Sequence, residues 1–371
     1  MLLSSLGLAN PLDCGFDRLA GDPAVAAQFG KVIDRIDHFE SSRPVSTSSE
    51  RLKNELPERL IPFFESGFQG YFEGAGGVPI YYRKWAVPNP KGVVVLVHGM
   101  GQSHARYVEN VYNFAENGYS VFIADQRGHG KSGRELPPGK DAVHVEDFGD
   151  YVSDLKKFLE TVVQQDYPGP VNLVGKSMGG MVALRLTEEQ PDLVNKVVLL
   201  APMLKMRTKG LPEMVAQVIA KGAVALGKGE DYALGQKPHP EHGPAREKHY
   251  PDRSAETRSK TLAEFERNTL APEERTGGAT FGWVNASLKG SRLGRAKAPS
   301  INHRVLLFSA GDDRTVISNV HEDFCRDVPG CRLIQIPEAS HTLFQQGDGT
   351  RDIIFREIFS FLPEEETPNE P

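Results

Sequence analysis

The chain has 371 residues, 39% of them hydrophobic, and a formal net charge of -6, which is enough apolar material for one large core or two modest ones. That charge leaves no basic field for a nucleic-acid backbone, and no long lysine or arginine run supplies one, so nucleic acid is excluded as a partner. Three cysteines, Cys14, Cys325 and Cys331, cannot form a disulfide framework in so long a chain, which fits a reducing, cytoplasmic compartment; Cys325 and Cys331 are close enough in sequence to pair, with two unlinked thiols the favoured reading.

In chain order, residues 1–65 read as an N-terminal extension. Val25, Phe29, Val32, Ile33 and Ile36 fall at helical spacing, "ESSRPVSTSSE" reads as a linker, and "RLKNELPERLIPFF" is interrupted by Pro57 and Pro62. The apolar opening "MLLSSLGLANPLDCGF" has no basic residue before it and no cleavage pattern after it, so it is not read as a signal peptide. No apolar run reaches the ~18 residues of a membrane span.

From Phe68 the texture changes. "FQGYFEG" and "VPIYYRKWA" predict an antiparallel pair, and "VVVLVHG", "SVFIADQRG", "VNLVGKS" and "KVVLLAP" predict buried parallel strands alternating with helices. That alternation predicts an α/β class with a mostly parallel, doubly wound sheet. The rhythm stops over residues 202–299, a segment rich in charge, Gly and Pro that reads as an inserted helical cap, and resumes with "RVLLFSAGDD" and "RLIQIPEASH". A closing helix brings the core, 66–362, to its end, and residues 363–371 form an acidic tail.

"VNLVGKSMGGMVAL" could be a phosphate-cradling loop or a strand-to-helix elbow. The phosphate reading needs glycine five residues before Gly175, where Pro170 offers no N–H; the same test on Gly130-Lys131-Ser132 meets Asp125. Both fail. An elbow needs glycine two before and two after the nucleophile, because the backbone is too crowded there for a side chain, and Gly175 and Gly179 flank Ser177 in this way.

An elbow serine becomes reactive only if a base takes its proton and a carboxylate holds that base, in the chain order serine, acid, histidine. Asp313, after "RVLLFSAG", and His341, after "RLIQIPEAS", stand where loops rise at the carboxyl edge of a parallel sheet. Asp312 competes for the acid role; the spacing Asp313-x-x-Val316 favours Asp313 and leaves Asp312 as a turn residue. The oxyanion needs two backbone donors: Met178, directly after the nucleophile, and Met100, in "VLVHGMGQS". "DQRGHGKSGR" predicts a structural turn beside the site, with Asp125 and Arg127 bonding locally. His239, His242 and His249 share no regular face, so no metal is expected.

Together "HGMGQS", "DQRGHGKSGR", "GKSMGG", "LLAPML", "GDDRTV" and "EASHTLFQQ", in this order, resemble serine hydrolases of the α/β-hydrolase fold, in the branch of monoacylglycerol lipases and bacterial lysophospholipases. "GGATFGWVNASL" and "RDIIFREIFSFL" are similar to the lysophospholipase side of that branch. The resemblance runs over about residues 66–362. It implies a triad of Ser177, Asp313 and His341, oxyanion donors at Met100 and Met178, no cofactor, and a lipid ester as substrate. Lys176 and Gln126 depart from it, each standing where the family commonly has histidine, and Lys176 changes the charge beside the nucleophile. Rival expectations are a small-molecule esterase, a peptidase of the proline-iminopeptidase kind, and a non-catalytic binding protein on the same fold.

The first cap helix, about 211–226, carries Leu211, Met214, Val215, Val218 and Ile219 on one face, with Glu213, Gln217 and Lys221 opposite. Its apolar face is expected to pack on the core, line an acyl channel, or touch a membrane surface.

Overall fold

The computed structural model describes residues 45–239 and 250–363. The helical spacing from Val25 to Ile36, His242, His249 and most of the acidic tail of the sequence reading lie outside these residues. Eight strands form one sheet in the order β1-β2-β4-β3-β5-β6-β7-β8. β1 (Phe68–Glu73) and β2 (Pro79–Trp85) pair antiparallel, β2 pairs antiparallel with β4 (Tyr119–Ala124), and β4, β3 (Gly92–Val97), β5 (Val171–Lys176), β6 (Val194–Leu200), β7 (Arg304–Ala310) and β8 (Cys331–Ile336) run parallel.

The central strands are buried on both faces, which is why they read as unbroken Val and Leu runs. One apolar layer covers each face. On one side Phe148, Tyr151, Phe158, Met181 and Leu184 pack together; on the other, Leu52, Leu60, Phe64, Phe114, Phe355 and Ile358 do. The first set comes from helices including α4 (Gly149–Phe158) and α5 (Met178–Glu189), the second from α3 (Val108–Glu116), α10 (Asp348–Phe361) and the helical segment before β1.

That segment departs from the expectation of a linker followed by an interrupted run. α1 (Ser49–Glu55), capped by the Ser48 hydroxyl, continues through a π-helical turn, Leu56–Leu60, into α2 (Ile61–Glu65). Pro57 and Pro62 are each the second residue of their piece, so each residue that lacks an N–H stands where the helical form changes. The wider turn lets Leu52, Leu56, Leu60 and Phe64 all face the core.

Between β6 and β7 the chain adds α6 (Glu213–Ala225), α7 (Arg253–Thr269) and α8 (Phe281–Lys297). α6 rests on α8 with the face opposite its apolar one. Ala216 and Ala220 are buried, Gln217 bonds Asn285 and Glu213 bonds Arg295, while Met214 and Val218 are 74% and 69% exposed. The apolar face of α6 points outward. Of the two readings of the thiols, the less favoured one is found: Cys325, on α9 (Val320–Asp327), is bonded to Cys331 at the start of β8, their Cα atoms 5.1 Å apart, within disulfide reach. No helix among the described residues is long and apolar enough to cross a membrane.

Candidate active site

Ser177 sits between the last residue of β5 and the first of α5 with φ 54° and ψ -118°, a conformation a side-chain-bearing residue adopts only when its surroundings hold it there. The surroundings are tight. A Cβ on Gly175 would lie 2.7 Å from the Gly179 carbonyl oxygen, and one on Gly179 would lie 2.1 Å from the Val97 carbonyl oxygen. Glycine at both places lets β3, β5 and α5 converge under the serine. The Ser177 N–H donates to Leu200 O (3.0 Å), and its carbonyl accepts from Met203 N (2.9 Å), so the bend is pinned to the end of β6.

His341 arrives on the loop after β8. Its Nε2 is 2.9 Å from Ser177 Oγ and its Nδ1 2.7 Å from Asp313 Oδ2. Asp313, after β7, is 2% exposed, and its other oxygen accepts the backbone N–H groups of Thr315 and Val316 at 2.8 Å each. Burial pushes the Asp313 carboxyl up, but hydrogen bonds and charge from His341 and the two amides outweigh it and hold the group below its usual range. Asp312 turns away to pair with Arg314 at 3.3 Å. The geometry therefore brings Ser177, His341 and Asp313 into one hydrogen-bonded chain and leaves Asp312 outside it.

Met178 is the first residue of α5, so its N–H belongs to a helix N-terminus, whose partial positive charge favours a developing anion. Met100 lies on the turn after β3. That turn approaches the serine closely: a Cβ on Gly99 would be 3.3 Å from Ser177 Cβ. Three interactions fix it that the sequence reading did not assign. His98 Nε2 accepts the Gln126 N–H at 2.8 Å while its Nδ1 meets Gly99 O at 2.9 Å, and the Gln126 amide bonds back to His98 O. Gln126 thus locks the turn.

A further residue escaped the sequence reading. The Gln346 side-chain amide donates to Ser340 Oγ (2.9 Å), Ser340 O (3.4 Å) and Thr342 O (3.1 Å), gripping the backbone on both sides of His341. From the cap, Arg258 Nη1 donates to Gln346 O at 2.8 Å.

The "DQRGHGKSGR" loop reaches farther than the local bonding expected of it. Asp125 accepts from His104 N (2.6 Å), His104 Nδ1 (2.8 Å) and Lys131 N (2.9 Å), and Arg127 pairs with Asp154 and Glu135. His129 is buried against His98, and desolvation, with His98 beside it, lowers it to about 3, so it is neutral. Lys176 is buried at the end of β5. Of the cap histidines only His239 is among the described residues, its N–H on Asp141 Oδ2 at 2.6 Å.

The chain is similar to proteins whose names agree with this geometry. It is 27% identical over 325 residues to lysophospholipase L2 of Escherichia coli (strain K12), covering 84% of this chain and 92% of that protein. It is 34% identical over 158 residues to a monoacylglycerol lipase of Mycolicibacterium smegmatis, covering 42% and 54%. Among solved structures, a soluble variant of monoglyceride lipase from Saccharomyces cerevisiae superposes with a TM-score of 0.61 at 20% identity, over 79% of this chain and 94% of that one, a likeness of fold. A family model described as serine aminopeptidase, S33, matches residues 88–348. Since that match takes in the elbow, both later loops and the whole segment inserted between β6 and β7, this chain belongs to the S33 serine aminopeptidase family and has the α/β-hydrolase fold.

Proposed function

We propose that the protein hydrolyses the ester of a single-chain lipid, a lysophospholipid or monoacylglycerol, through an acyl-enzyme. The observation that carries the chemistry is the bridge made by His341, 2.9 Å from Ser177 Oγ and 2.7 Å from Asp313. In this reading His341 Nε2 takes the Ser177 proton as Oγ attacks the acyl carbon, and Asp313 fixes the Nδ1–H tautomer and steadies the imidazolium. The N–H groups of Met100 and Met178 receive the oxyanion. As the tetrahedral adduct collapses, His341 returns the proton to the departing alcohol. Water then enters, gives its proton to His341, and frees the acid and Ser177 Oγ in a second pass of the same kind. No step calls on a cofactor.

The lipid part rests on the names of the relatives and on the outward apolar face of α6. Leu211, Met214, Val218 and Leu226 are all exposed there, an arrangement suited to peripheral contact with a lipid surface through the cap. The domain reading carried forward is a core with a cap inserted over residues 202–299. A second reading, an aminopeptidase, is favoured by the description of the family model alone.

The test is a panel of lysophospholipids, monoacylglycerols, short p-nitrophenyl esters and aminoacyl p-nitroanilides with purified protein. Turnover of the lipid esters, lost by about 10⁴-fold or more in Ser177→Ala, is expected. Preference for the anilides would establish the peptidase instead. Asp313→Asn should lose rate on a similar scale while Asp312→Asn stays near wild type; equal effects would remove Asp313 from the acid role. A fluorophosphonate that fails to label the wild type would leave a binding protein.

A further inference from the structure

Beside the turn that carries Met100, a cleft opens at the seam between core and cap. Gly101, Gln102 and Arg106 line it from the core, and Glu266, Arg267 and Arg275 from the cap. Three arginines and one glutamate therefore line it, in a chain whose net charge is -6. That carboxylate is already engaged. Glu266 Oε2 accepts from Arg106 Nε at 2.7 Å, and Oε1 accepts from Ser103 N (2.7 Å) and Ser103 Oγ (2.8 Å). Arg106 is neutralised in the process.

Arg267 and Arg275 are different. Among the described residues neither forms an ion pair, and Arg275 Nε is buried with no hydrogen-bond acceptor. Arg275 Nη2 is held by the carbonyls of Arg267 (3.1 Å) and Leu270 (3.4 Å), which fixes the guanidinium plane. A planar guanidinium held in this way, with a second arginine lining the same cleft, suits an oxyanion with several acceptor oxygens better than a neutral group.

The cleft is also close to the reacting serine. Gln102 Oε1 and Ser177 Cβ each lie 3.3 Å from the same point, the position a Cβ on Gly99 would take. In a lysophospholipid the ester and the phosphate are separated by the carbons of one glycerol, and Gln102, which lines the cleft, also accepts the Gly99 N–H of this turn at 3.2 Å.

We infer that this cleft takes the phosphate of a lysophospholipid head group, with Arg267 and Arg275 as its anion contacts; the inference rests on the lipid-ester reading above. It makes these two arginines specificity determinants that separate phosphoglycerol from glycerol esters.

The experiment has two arms. In the first, sn-glycerol 3-phosphate, inorganic phosphate and glycerol are titrated calorimetrically into wild type, Arg267→Gln and Arg275→Lys. The lysine at 275 keeps a donor for the carbonyls that close α7, and melting curves confirm that each variant folds. Glycerol phosphate should bind best and weaken by about 10-fold or more in either variant. Equal binding to all three proteins would overturn the assignment, and equal affinity for inorganic phosphate would make it a phosphate site without a head group, overturning it too.

In the second arm, kcat/KM is measured for 1-acyl-sn-glycerol 3-phosphate and for the monoacylglycerol with the same acyl chain. The ratio of the first to the second should fall by about 10-fold or more in both variants. An unchanged ratio would refute the inference while leaving ester hydrolysis intact. Loss of both esters in the wild type would instead refute the lipid-ester reading, and the binding arm would still report on the cleft.

Discussion

Replacing Arg258 by methionine tests how the cap is fastened to the body. Arg258, on α7, is fully buried and spends its donors on four partners: Glu109 Oε1 (3.2 Å), Gln346 O (2.8 Å), Thr47 O (2.8 Å) and Asp348 Oδ1 (2.7 Å). Methionine fills similar space without the charge. Glu109, also buried, would keep only Arg351, 3.3 Å from its Oε2, and two carbonyl oxygens would lose a donor. Removing one partner of a buried pair costs about 3–5 kcal/mol, because the group left behind stays desolvated. At about 2 °C per kcal/mol for a chain of this size, the midpoint of thermal unfolding should drop by roughly 6–10 °C. Differential scanning calorimetry at neutral pH reads this directly, and Arg258→Lys, which keeps the charge but not the fork, should fall between. A methionine variant melting within about 1 °C of wild type would refute the claim that this network is a main fastening of the cap.

Gln346→Leu removes the grip on both flanks of His341 and should lower kcat by about 10-fold or more with KM little changed; stopped assays on a p-nitrophenyl ester will show it, and a loss confined to KM would contradict it. Gly179→Ala places a methyl 2.1 Å from the Val97 carbonyl oxygen and 2.5 Å from that of His98, so α5 must shift, and kcat/KM should fall by about 100-fold or the protein should fail to fold; near-normal activity would mean the elbow is looser than described. Desolvation first, with neighbouring positive charge, lowers His129 to about 3, and desolvation lowers His321 to about 4. The unfolded chain therefore binds more protons below about pH 6.5, and stability should fall as pH drops from about 7 to 5, on the order of 2 kcal/mol per histidine at pH 5. Asp313, held low, begins to lose its contribution as pH falls through the ordinary carboxylate value and goes on losing it below, so it does not account for this window. Denaturant midpoints that are flat between these two pH values would disprove the buried neutral state.

The elbow was legible in the sequence because it is local: glycine two residues either side of Ser177, a strand before and a helix after, all within one short stretch. His341 and Asp313 were legible because parallel strands deliver their loops to one edge of the sheet. Gln346, Arg258 and the His98–Gln126 lock were not, since each depends on partners brought together from distant parts of the chain or on a side chain folding back on its own loop, and no residue spacing encodes that. Which way α6 faces stayed open for a related reason. Periodicity shows that a helix has two faces and says nothing of which neighbour each meets; here Glu213 and Gln217 turned out to face α8. Pro57 and Pro62 were read as breaks because a π-helical turn leaves no mark in composition.

Arg258 belongs to the inserted segment in chain order, yet its partners Glu109, Gln346 and Asp348 belong to the body. Exchanging caps between relatives at the strand boundaries would therefore cut through an electrostatic joint rather than around it. A chimaera that imports a foreign cap without an arginine at this place would inherit a stranded glutamate and a slack histidine loop, and its poor turnover would be mistaken for a mismatch of substrate when the fault lay in the hinge of the graft.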